Sequence, residues 1–158
     1  MNRISVILVL LLIGNYSIAQ NFKLNSNEFK KGDVYVSNPK IIFDLAEWTI
    51  KAESQPHLDS ISDFLLNHDS LVVEIGIHTD SRGSDEYSRR LDKKRAESIM
   101  DYLINKGVDS ERLLANGYGE TELIISDKEI EKMKTAKEKE EAHAMNRRTE
   151  FKIIEIKK

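Results

Sequence analysis

Hydrophobic and polar residues follow two different periods in the middle of the chain. Pro56 opens a segment in which Leu58, Ile61 and Leu65 recur at helical spacing, so the pattern predicts a helix that begins near the proline. Residues 71–78 then alternate between large apolar side chains and mostly smaller or polar ones, which is typical of a strand with one buried face. We therefore predict a helix followed by a strand.

A second predicted helix covers residues 93–106 and has clear signals at both ends. Asp92 is suited to the N-cap position, and Gly107 stands where helices commonly end on a glycine. A short β-type run at residues 40–44 precedes the first helix. The first two thirds of the chain are thus predicted to run strand, helix, strand, helix.

The last third of the chain predicts two further strands. Residues 113–115 form a short apolar run, and residues 149–156 have the composition of a final strand. Between them, residues 126–141 are highly charged with few apolar positions, so we interpret them as a solvated excursion. The whole pattern predicts a small α+β domain, with a mixed sheet of about four strands and helices packed on one face.

The first residues predict a cleavable signal peptide at 1–19. Arg3 supplies the positive start, residues 4–13 are almost entirely apolar, and Ser17 and Ala19 place small residues before a cleavage site at Gln20. A membrane anchor is the alternative, but the apolar run is well short of the roughly 20 residues that a span needs. We therefore expect export to the periplasm.

The expected mature chain of 139 residues is long enough for one domain with its own core. Residues 20–38 are polar and are predicted to be an arm or linker, and residues 39–158 the domain. Without the leader the chain carries 23 basic and 27 acidic residues, a net charge of −4, which does not favour nucleic acid or a polybasic membrane patch. With no cysteine, neither disulfides nor a lipidated cysteine are available.

Arg95 breaks the pattern of the second helix. At about 100° per residue it lies about 40° from Leu91, inside the arc of apolar positions. An uncompensated buried charge is strongly unfavourable, so the guanidinium needs a carboxylate, and Asp80 after the preceding strand is the nearest candidate. Facing one cleft, the two could bind the carboxylate and ammonium of an amino-acid end. A plain Asp80–Arg95 salt bridge explains the pattern equally well.

Other candidate chemistry has weaker support. His78 and Asp80 could be metal ligands, but the remaining histidines show no ligand spacing, and residues 80–85 lack the acidic positions of a calcium loop. Arg147 and Arg148 could contact an anion or form a solvated turn. No nucleophile elbow, zinc motif or phosphate loop is present, so we expect no enzymatic activity, no cofactor and no metal.

Five short motifs stand in order along the chain. They are Ile41-Ile42-Phe43-Asp44, His78-Thr79-Asp80-Ser81-Arg82-Gly83, Lys94-Arg95-Ala96, Gly117-Tyr118-Gly119-Glu120 and Asn146-Arg147-Arg148-Thr149-Glu150-Phe151. Each alone is weak, but five in order at suitable spacing are specific. The set resembles the C-terminal domain of OmpA-like outer-membrane proteins and of peptidoglycan-associated lipoproteins, from Lys40 to about Ile154, and implies their βαβαββ fold.

The resemblance also implies a ligand. In that family the residues matching Asp80 and Arg95 bind meso-diaminopimelate of the peptidoglycan stem peptide, and these are the two residues that the helix pattern singles out. The further residues expected at the pocket are Asp44, Thr79, Ser88, Arg147 and Arg148.

Three positions depart from the family pattern. Ile77 replaces a glycine before the histidine, Ser88 replaces an asparagine, and Asp92 replaces a serine ahead of the Arg-Ala pair. The proline that usually follows the Gly-Tyr-Gly-Glu motif is also missing. These departures bear on the affinity and the exact ligand, and not on the fold.

The expected function is non-covalent binding of peptidoglycan that helps tether the cell wall to the outer envelope, with outer-membrane proteins as further partners. One alternative is an envelope scaffold protein that has the same fold but has lost peptidoglycan binding. A second alternative is a cell-wall hydrolase, which would need a catalytic constellation that the sequence lacks.

Overall fold

A computed structural model describes residues 23–38, 40–83 and 85–158. The predicted signal peptide lies outside these residues. The described part contains four strands, β1 to β4, and four α-helices, α1 to α4, and none of these helices is long and apolar enough to cross a membrane. In chain order the elements are β1 (Val34–Val36), α1 (Gln55–Asn67), β2 (Leu71–His78), α2 (Asp85–Asn105), β3 (Leu113–Gly119), α3 (Asp127–Glu131), α4 (Ala136–Asn146) and β4 (Arg148–Ile156).

The four strands form one mixed sheet in the order β1-β4-β2-β3. β2 runs parallel to β3, while β4 lies antiparallel between β1 and β2. In the register of the sheet, Ile75 pairs with Ala115 on one side and with Phe151 on the other. The predicted α+β class with a mixed four-stranded sheet is confirmed.

The core lies between this sheet and the helices α1 and α2. On α2, Ala96, Ile99 and Leu103 are completely buried, as the apolar arc of the sequence predicts. They pack with apolar residues of α1 and of the sheet, among them Leu58 and Ile75. Burial of this surface is the main source of stability in a chain without disulfides.

Gly117 allows α2 to lie directly on β3. A Cβ atom at this position would fall 2.3 Å from the Lys93 backbone nitrogen and 2.5 Å from the Arg89 carbonyl oxygen. No side chain fits into such a gap, because both neighbours are backbone atoms that cannot rotate away. The glycine therefore allows the helix to pack closely against the sheet between Arg89 and Lys93, the turn that contains Asp92.

The first strand does not lie where the sequence predicted it. Residues 40–44 make only an isolated bridge between Phe43 and Ile50, because the chain turns back at Ala46, whose φ of 57° is left-handed. The edge strand β1 instead comes from the segment predicted to be an arm, and it pairs with β4.

The second helix also begins earlier than predicted. α2 starts at Asp85, so Asp92 lies inside the helix and is fully buried instead of capping its N-terminus. Residues 86–91 contain no glycine or proline that would stop the helix from extending. The predicted end at Gly107 is confirmed, with a φ of 103° and hydrogen bonds from Gly107 N to Ile104 O and from Val108 N to Leu103 O.

The charged stretch at residues 126–141 is more ordered than the predicted solvated excursion. It contains α3 and most of α4, and in α4 the Thr135 hydroxyl and the Glu138 carboxylate accept hydrogen bonds from each other's backbone amides. Each of these two helices buries one apolar residue, Ile130 in α3 and Ala142 in α4. Most of the charged side chains lie on the outside of the helices.

Candidate functional site

A cleft of about 250 Å³ opens beside the C-terminal end of β2. Four cationic side chains line it, together with His78, Thr79 and several apolar residues. Among the described residues that line the cleft there is no carboxylate. The cationic side chains are Lys40, Arg95, Arg147 and Arg148. A concave surface with this charge favours a ligand that carries a negative group.

The Arg95 side chain is held in place from three directions. Its Nε donates to the Glu47 carbonyl oxygen at 3.0 Å, its guanidinium lies 5.1 Å from the centre of the Phe43 ring, and its Nη1 lies 3.9 Å from Asp92 Oδ1. Burial lowers the pKa of Arg95, and Asp92 opposes that shift. Among the described residues the Nη groups make no hydrogen bond, so they remain able to bind an anion.

A short loop at residues 42–51 supplies two of these contacts. Asp44 N donates to Thr49 O at 3.0 Å and Lys51 N donates to Ile42 O at 2.9 Å, which closes the loop on itself. The left-handed Ala46 then presents the Glu47 carbonyl to the helix. Residues 40–44 form no strand, but they lead into a loop that positions the arginine through Phe43 and Glu47.

Asp80 is surrounded by arginines other than Arg95. It follows the end of β2 with its side chain 9% exposed, accepts from Arg82 Nη2 at 2.8 Å and contacts Arg147 Nη1. Both arginines also bind Glu140, each at 2.8 Å. Burial alone would raise the pKa of the Asp80 carboxyl, but the hydrogen bonds from Arg82 and Arg147 hold it well below its usual range. We call these four residues the Asp80 network.

The salt bridge between Asp80 and Arg95, one of the two alternatives for this pair, is not formed in the described structure. The carboxylate nearest to Arg95 is Asp92, three residues earlier on the same helix. Arg147 connects the two predicted ligand-binding residues, because it lines the cleft with Arg95 and also contacts Asp80. Arg95 therefore lines the cleft directly, whereas Asp80 is not among its lining residues and reaches it through Arg147.

The other predicted site residues divide into two groups. Thr79 and Arg148 line the cleft, as does Arg147. Asp44 and Ser88 are not among the residues that line it: the Asp44 side chain is 52% exposed and lies 3.9 Å from Lys51, and Ser88 is half-buried on α2. Four of the seven predicted residues therefore line the cleft, and a fifth, Asp80, contacts one of them, Arg147.

His78 lines the cleft and lies beside Glu150. His78 is buried and stacks on Tyr118, with ring centres 4.6 Å apart, and its Nε2 lies 3.5 Å from Glu150 Oε2. Arg148 Nε also contacts Glu150, at 2.5 Å. Burial would raise the pKa of Glu150, but His78 and Arg148 lower it to about 2. Among the described residues, no three histidine, aspartate or glutamate side chains are grouped to hold a metal ion.

Asp92 is the site residue that the sequence prediction misassigned. It is completely buried, and neither carboxylate oxygen has a hydrogen bond of normal geometry within the described structure. The Thr79 hydroxyl, which also lacks such a bond, and the Gly119 amide face it. Burial raises the pKa of Asp92 to about 7, although Arg95, Gly119 and Thr79 act against this shift.

Lys40 was not predicted either, and no sequence pattern marks it. Its Nζ donates to the Arg147 carbonyl oxygen at 2.8 Å and also contacts the Ala144 carbonyl. Burial and the charge of Arg147 lower the pKa of Lys40. The lysine therefore links the segment before the loop at 42–51 to the end of α4 and adds positive charge to the cleft.

Comparison with known protein families agrees with this architecture. A model described as the OmpA family matches residues 42–137, more than half of the chain. The chain belongs to the OmpA family. The match covers both the loop that holds Arg95 and the turn that carries Asp80. The resemblance found in the five sequence motifs is confirmed.

Two relatives named outer membrane protein A are similar to more than half of the chain. Outer membrane protein A of Serratia marcescens is 37% identical over 90 residues, and that of Salmonella typhi is 39% identical over 90 residues. In both cases the match covers 55% of this chain and 25% of the relative. The chain thus spans about a quarter of the length of these curated relatives.

Solved structures give the same fold. The cell wall anchor of the T6SS from Pseudomonas aeruginosa is 27% identical, with a TM-score of 0.56 over 72% of this chain and 75% of that chain. The peptidoglycan-associated lipoprotein from Burkholderia pseudomallei has a TM-score of 0.56 over 72% of this chain and 87% of that one, at 24% identity. The OmpA-like fold is therefore shared by chains of low sequence identity.

Proposed function

We propose that this OmpA-family chain is a non-enzymatic periplasmic module that binds peptidoglycan without a covalent bond, through meso-diaminopimelate of the stem peptide. In this role it would help tether the cell wall to the outer envelope. The observation that carries the proposal is the arrangement of the Arg95 side chain. Its side chain is held by Glu47 and Phe43 on a cationic cleft, while its Nη groups make no hydrogen bond within the described residues.

The carboxylate of the ligand would bind at Arg95. A guanidinium and a carboxylate match in two parallel hydrogen bonds, and such charge-assisted bonds are stronger than neutral ones. Thr79 lines the same cleft, and its buried hydroxyl, which faces Asp92, would supply one more donor if it turned toward the ligand. Fixing Arg95 before the ligand arrives reduces the conformational entropy lost on binding.

The ammonium of the ligand would bind at Asp80. This carboxylate stays ionised at any physiological pH because Arg82 and Arg147 hold its pKa far below the usual range. It has two oxygens and can accept a further donor, but it must share them with both arginines. We therefore expect a modest single-site affinity, on the order of 10 µM to 1 mM, which the repeating polymer raises by local concentration.

Two comparisons support the proposal. The structure from Pseudomonas aeruginosa is named as a cell wall anchor, and the one from Burkholderia pseudomallei as a peptidoglycan-associated lipoprotein. The predicted signal peptide would deliver the chain to the compartment where that polymer is found.

Titration calorimetry with a stem peptide that contains diaminopimelate tests the proposal. The matched peptide with lysine in place of diaminopimelate lacks one carboxylate and should bind at least tenfold more weakly. Arg95→Ala should abolish binding, and Arg95→Lys should keep little of it, because an ammonium cannot form the paired bonds. Arg90→Ala is the matched control, since Arg90 lies on the same helix with its side chain 72% exposed.

An envelope scaffold that has lost peptidoglycan binding is the second candidate. One observation favours it: two arginines already neutralise Asp80, which leaves less charge for a ligand ammonium. A pull-down with purified sacculi separates the two functions. The binding module sediments with the sacculi and Arg95→Ala does not, whereas a scaffold protein stays in the supernatant with or without the substitution.

A further inference from the structure

We propose that Asp92 sets the affinity of the cleft for a carboxylate by competing with the ligand for Arg95, so that ligand binding is coupled to the uptake of one proton by this buried carboxyl. The inference rests on the proposed function, because it needs a carboxylate ligand at Arg95. It goes further in assigning a role to a residue behind the cleft that the ligand does not touch.

The position of Asp92 is the first support. It is completely buried on α2, and its Oδ1 lies 3.9 Å from Arg95 Nη1, so the two charges interact without a tight salt bridge. Each negative charge near the guanidinium reduces the attraction for the next one. An ionised Asp92 and a ligand carboxylate therefore repel each other across the same arginine.

The missing hydrogen bonds are the second support. An ionised buried carboxylate normally accepts several hydrogen bonds, but neither oxygen of Asp92 has one of normal geometry within the described residues. The protonated form is neutral and tolerates this environment better. Burial accordingly raises the pKa of Asp92 to about 7, and a ligand carboxylate at Arg95 would raise it further.

Few other groups near Asp92 could take up the proton. From the end of β2 the Thr79 hydroxyl faces it, and from the end of β3 the Gly119 amide, and neither changes charge near neutral pH. Within the described residues Arg95 is the charged neighbour that acts on it. His78 lines the cleft beside Glu150, so the test includes a variant at this position.

The pH dependence follows from this arrangement. Below the pKa of free Asp92 the carboxyl is neutral and the ligand meets an uncompensated guanidinium, so binding is tightest. As pH rises through about 7, Asp92 ionises and the affinity falls. For charges several ångströms apart in a partly wet site we expect a total loss of about three- to tenfold between pH 5.5 and pH 8.5.

Calorimetry of the mature protein with the diaminopimelate stem peptide measures the proton directly. At pH 7 the titration is repeated in two buffers with different ionisation enthalpies, and the difference in heat gives the protons taken up. We expect a clear fraction of one proton for the parent and none for Asp92→Asn. Asp92→Asn should also bind about three- to tenfold more tightly than the parent at pH 8.

Two variants serve as controls. Glu97→Gln removes an acid from the exposed face of the same helix, where Glu97 pairs with Lys93 at 3.7 Å, and should leave proton uptake unchanged. If Asp92 is the group that takes up the proton, His78→Gln should show the same proton uptake as the parent. Circular dichroism at each pH confirms that the variants are folded.

The outcomes distinguish the two proposals. Binding with equal proton uptake in the parent and Asp92→Asn, or with uptake that disappears only in His78→Gln, overturns the role of Asp92 and leaves the proposed function standing. No binding at any pH from 5.5 to 8.5, in either the parent or Asp92→Asn, overturns the proposed function and this inference with it.

Discussion

Two buried carboxylates each lie beside an arginine that lines the cleft, Asp80 beside Arg147 and Asp92 beside Arg95, and their hydrogen bonds and pKa values differ. Asp80 is 7% exposed and accepts hydrogen bonds from two arginines, so its pKa is far below the usual range. Asp92 is 0% exposed without a hydrogen bond of normal geometry, and its pKa is raised to about 7. Burial acts in the same direction on both. The number of donors that reach each carboxylate decides which one carries a charge at neutral pH.

This difference assigns the two carboxylates different tasks. Asp80 is a permanent anion that contacts Arg147 at the cleft and is suited to an ammonium group. Asp92 is an acid that can be neutral or charged, beside the arginine that we propose binds the carboxylate. The comparison predicts opposite pH profiles of stability for substitutions at the two positions, and the following predictions test it.

The largest expected effect is an increase in stability on Asp92→Asn. Because the folded protein holds the proton on Asp92 up to about pH 7 and the unfolded chain releases it near pH 4, stability falls as pH rises between these values. Asparagine carries no charge to bury, so the variant should be more stable than the parent by roughly 2–4 kcal/mol at pH 8. Urea unfolding from pH 4 to pH 8 should show the gain disappearing at the acid end. A gain that does not change with pH would contradict the raised pKa.

Asp80→Asn should have the opposite sign and the opposite pH dependence. The substitution removes the charge-assisted bonds to Arg82 and Arg147 and should destabilise the fold by roughly 1–3 kcal/mol at neutral pH. Since the folded pKa of Asp80 is depressed, the parent has this stability above about pH 4 and loses it as pH falls further. The same urea series, extended to pH 3, checks it: a deficit that grows on acidification would argue against the Asp80 network.

Thr79→Val should separate ligand binding from stability. The hydroxyl has no hydrogen bond of normal geometry within the described structure, so its loss should change the free energy of unfolding by less than about 1 kcal/mol. Because the side chain lines the cleft, affinity for the stem peptide should fall about two- to tenfold. Calorimetry and urea unfolding of the same preparation measure both quantities. Equal affinity of variant and parent would remove Thr79 from the site.

Glu140→Gln should have the smallest effect. Glu140 binds both arginines of the Asp80 network, but its side chain is 55% exposed and water competes for it. We expect a decrease in Tm that is clearly smaller than that of Asp80→Asn and that disappears at high salt. Thermal unfolding at low and high salt measures it. A decrease as large as that of Asp80→Asn would mean that the exposed end of the network, and not its buried end, stabilises the turn.

Local patterns in the sequence predict most of the fold. The spacing of Leu58, Ile61 and Leu65, the strand at 71–78 and the terminal glycine at 107 all depend on neighbouring residues, and all appear in the structure. The strand is buried on both faces, and not on one face as its alternation predicted. Residues 40–44 have strand composition but lack a neighbouring strand to pair with. The edge strand at 34–36 exists only because β4 lies beside it, which no local pattern reveals.

The candidate site was also predictable only in part, because some of its contacts join residues that are far apart in the sequence. Arg95 stood out because a charged residue lay among apolar helix positions. Asp92 lies at about 100° on the same helical wheel, within the same apolar arc. Because aspartate is also a favoured N-cap residue, its position predicted a cap instead of a buried charge. The partners of Asp80 include Arg147, 67 residues further along the chain, and a contact over that separation depends on the tertiary fold.

The crystal structure of the mature protein with a diaminopimelate stem peptide at pH 6 tests the central claim most directly. We predict a ligand carboxylate within about 3 Å of both Nη groups of Arg95 and a ligand ammonium against the Asp80 carboxylate, with Arg95 still bonded to the Glu47 carbonyl. A ligand bound elsewhere, such as the groove beside Tyr35 and His57, or one that reaches neither Arg95 nor Asp80, would contradict the assignment of this cleft.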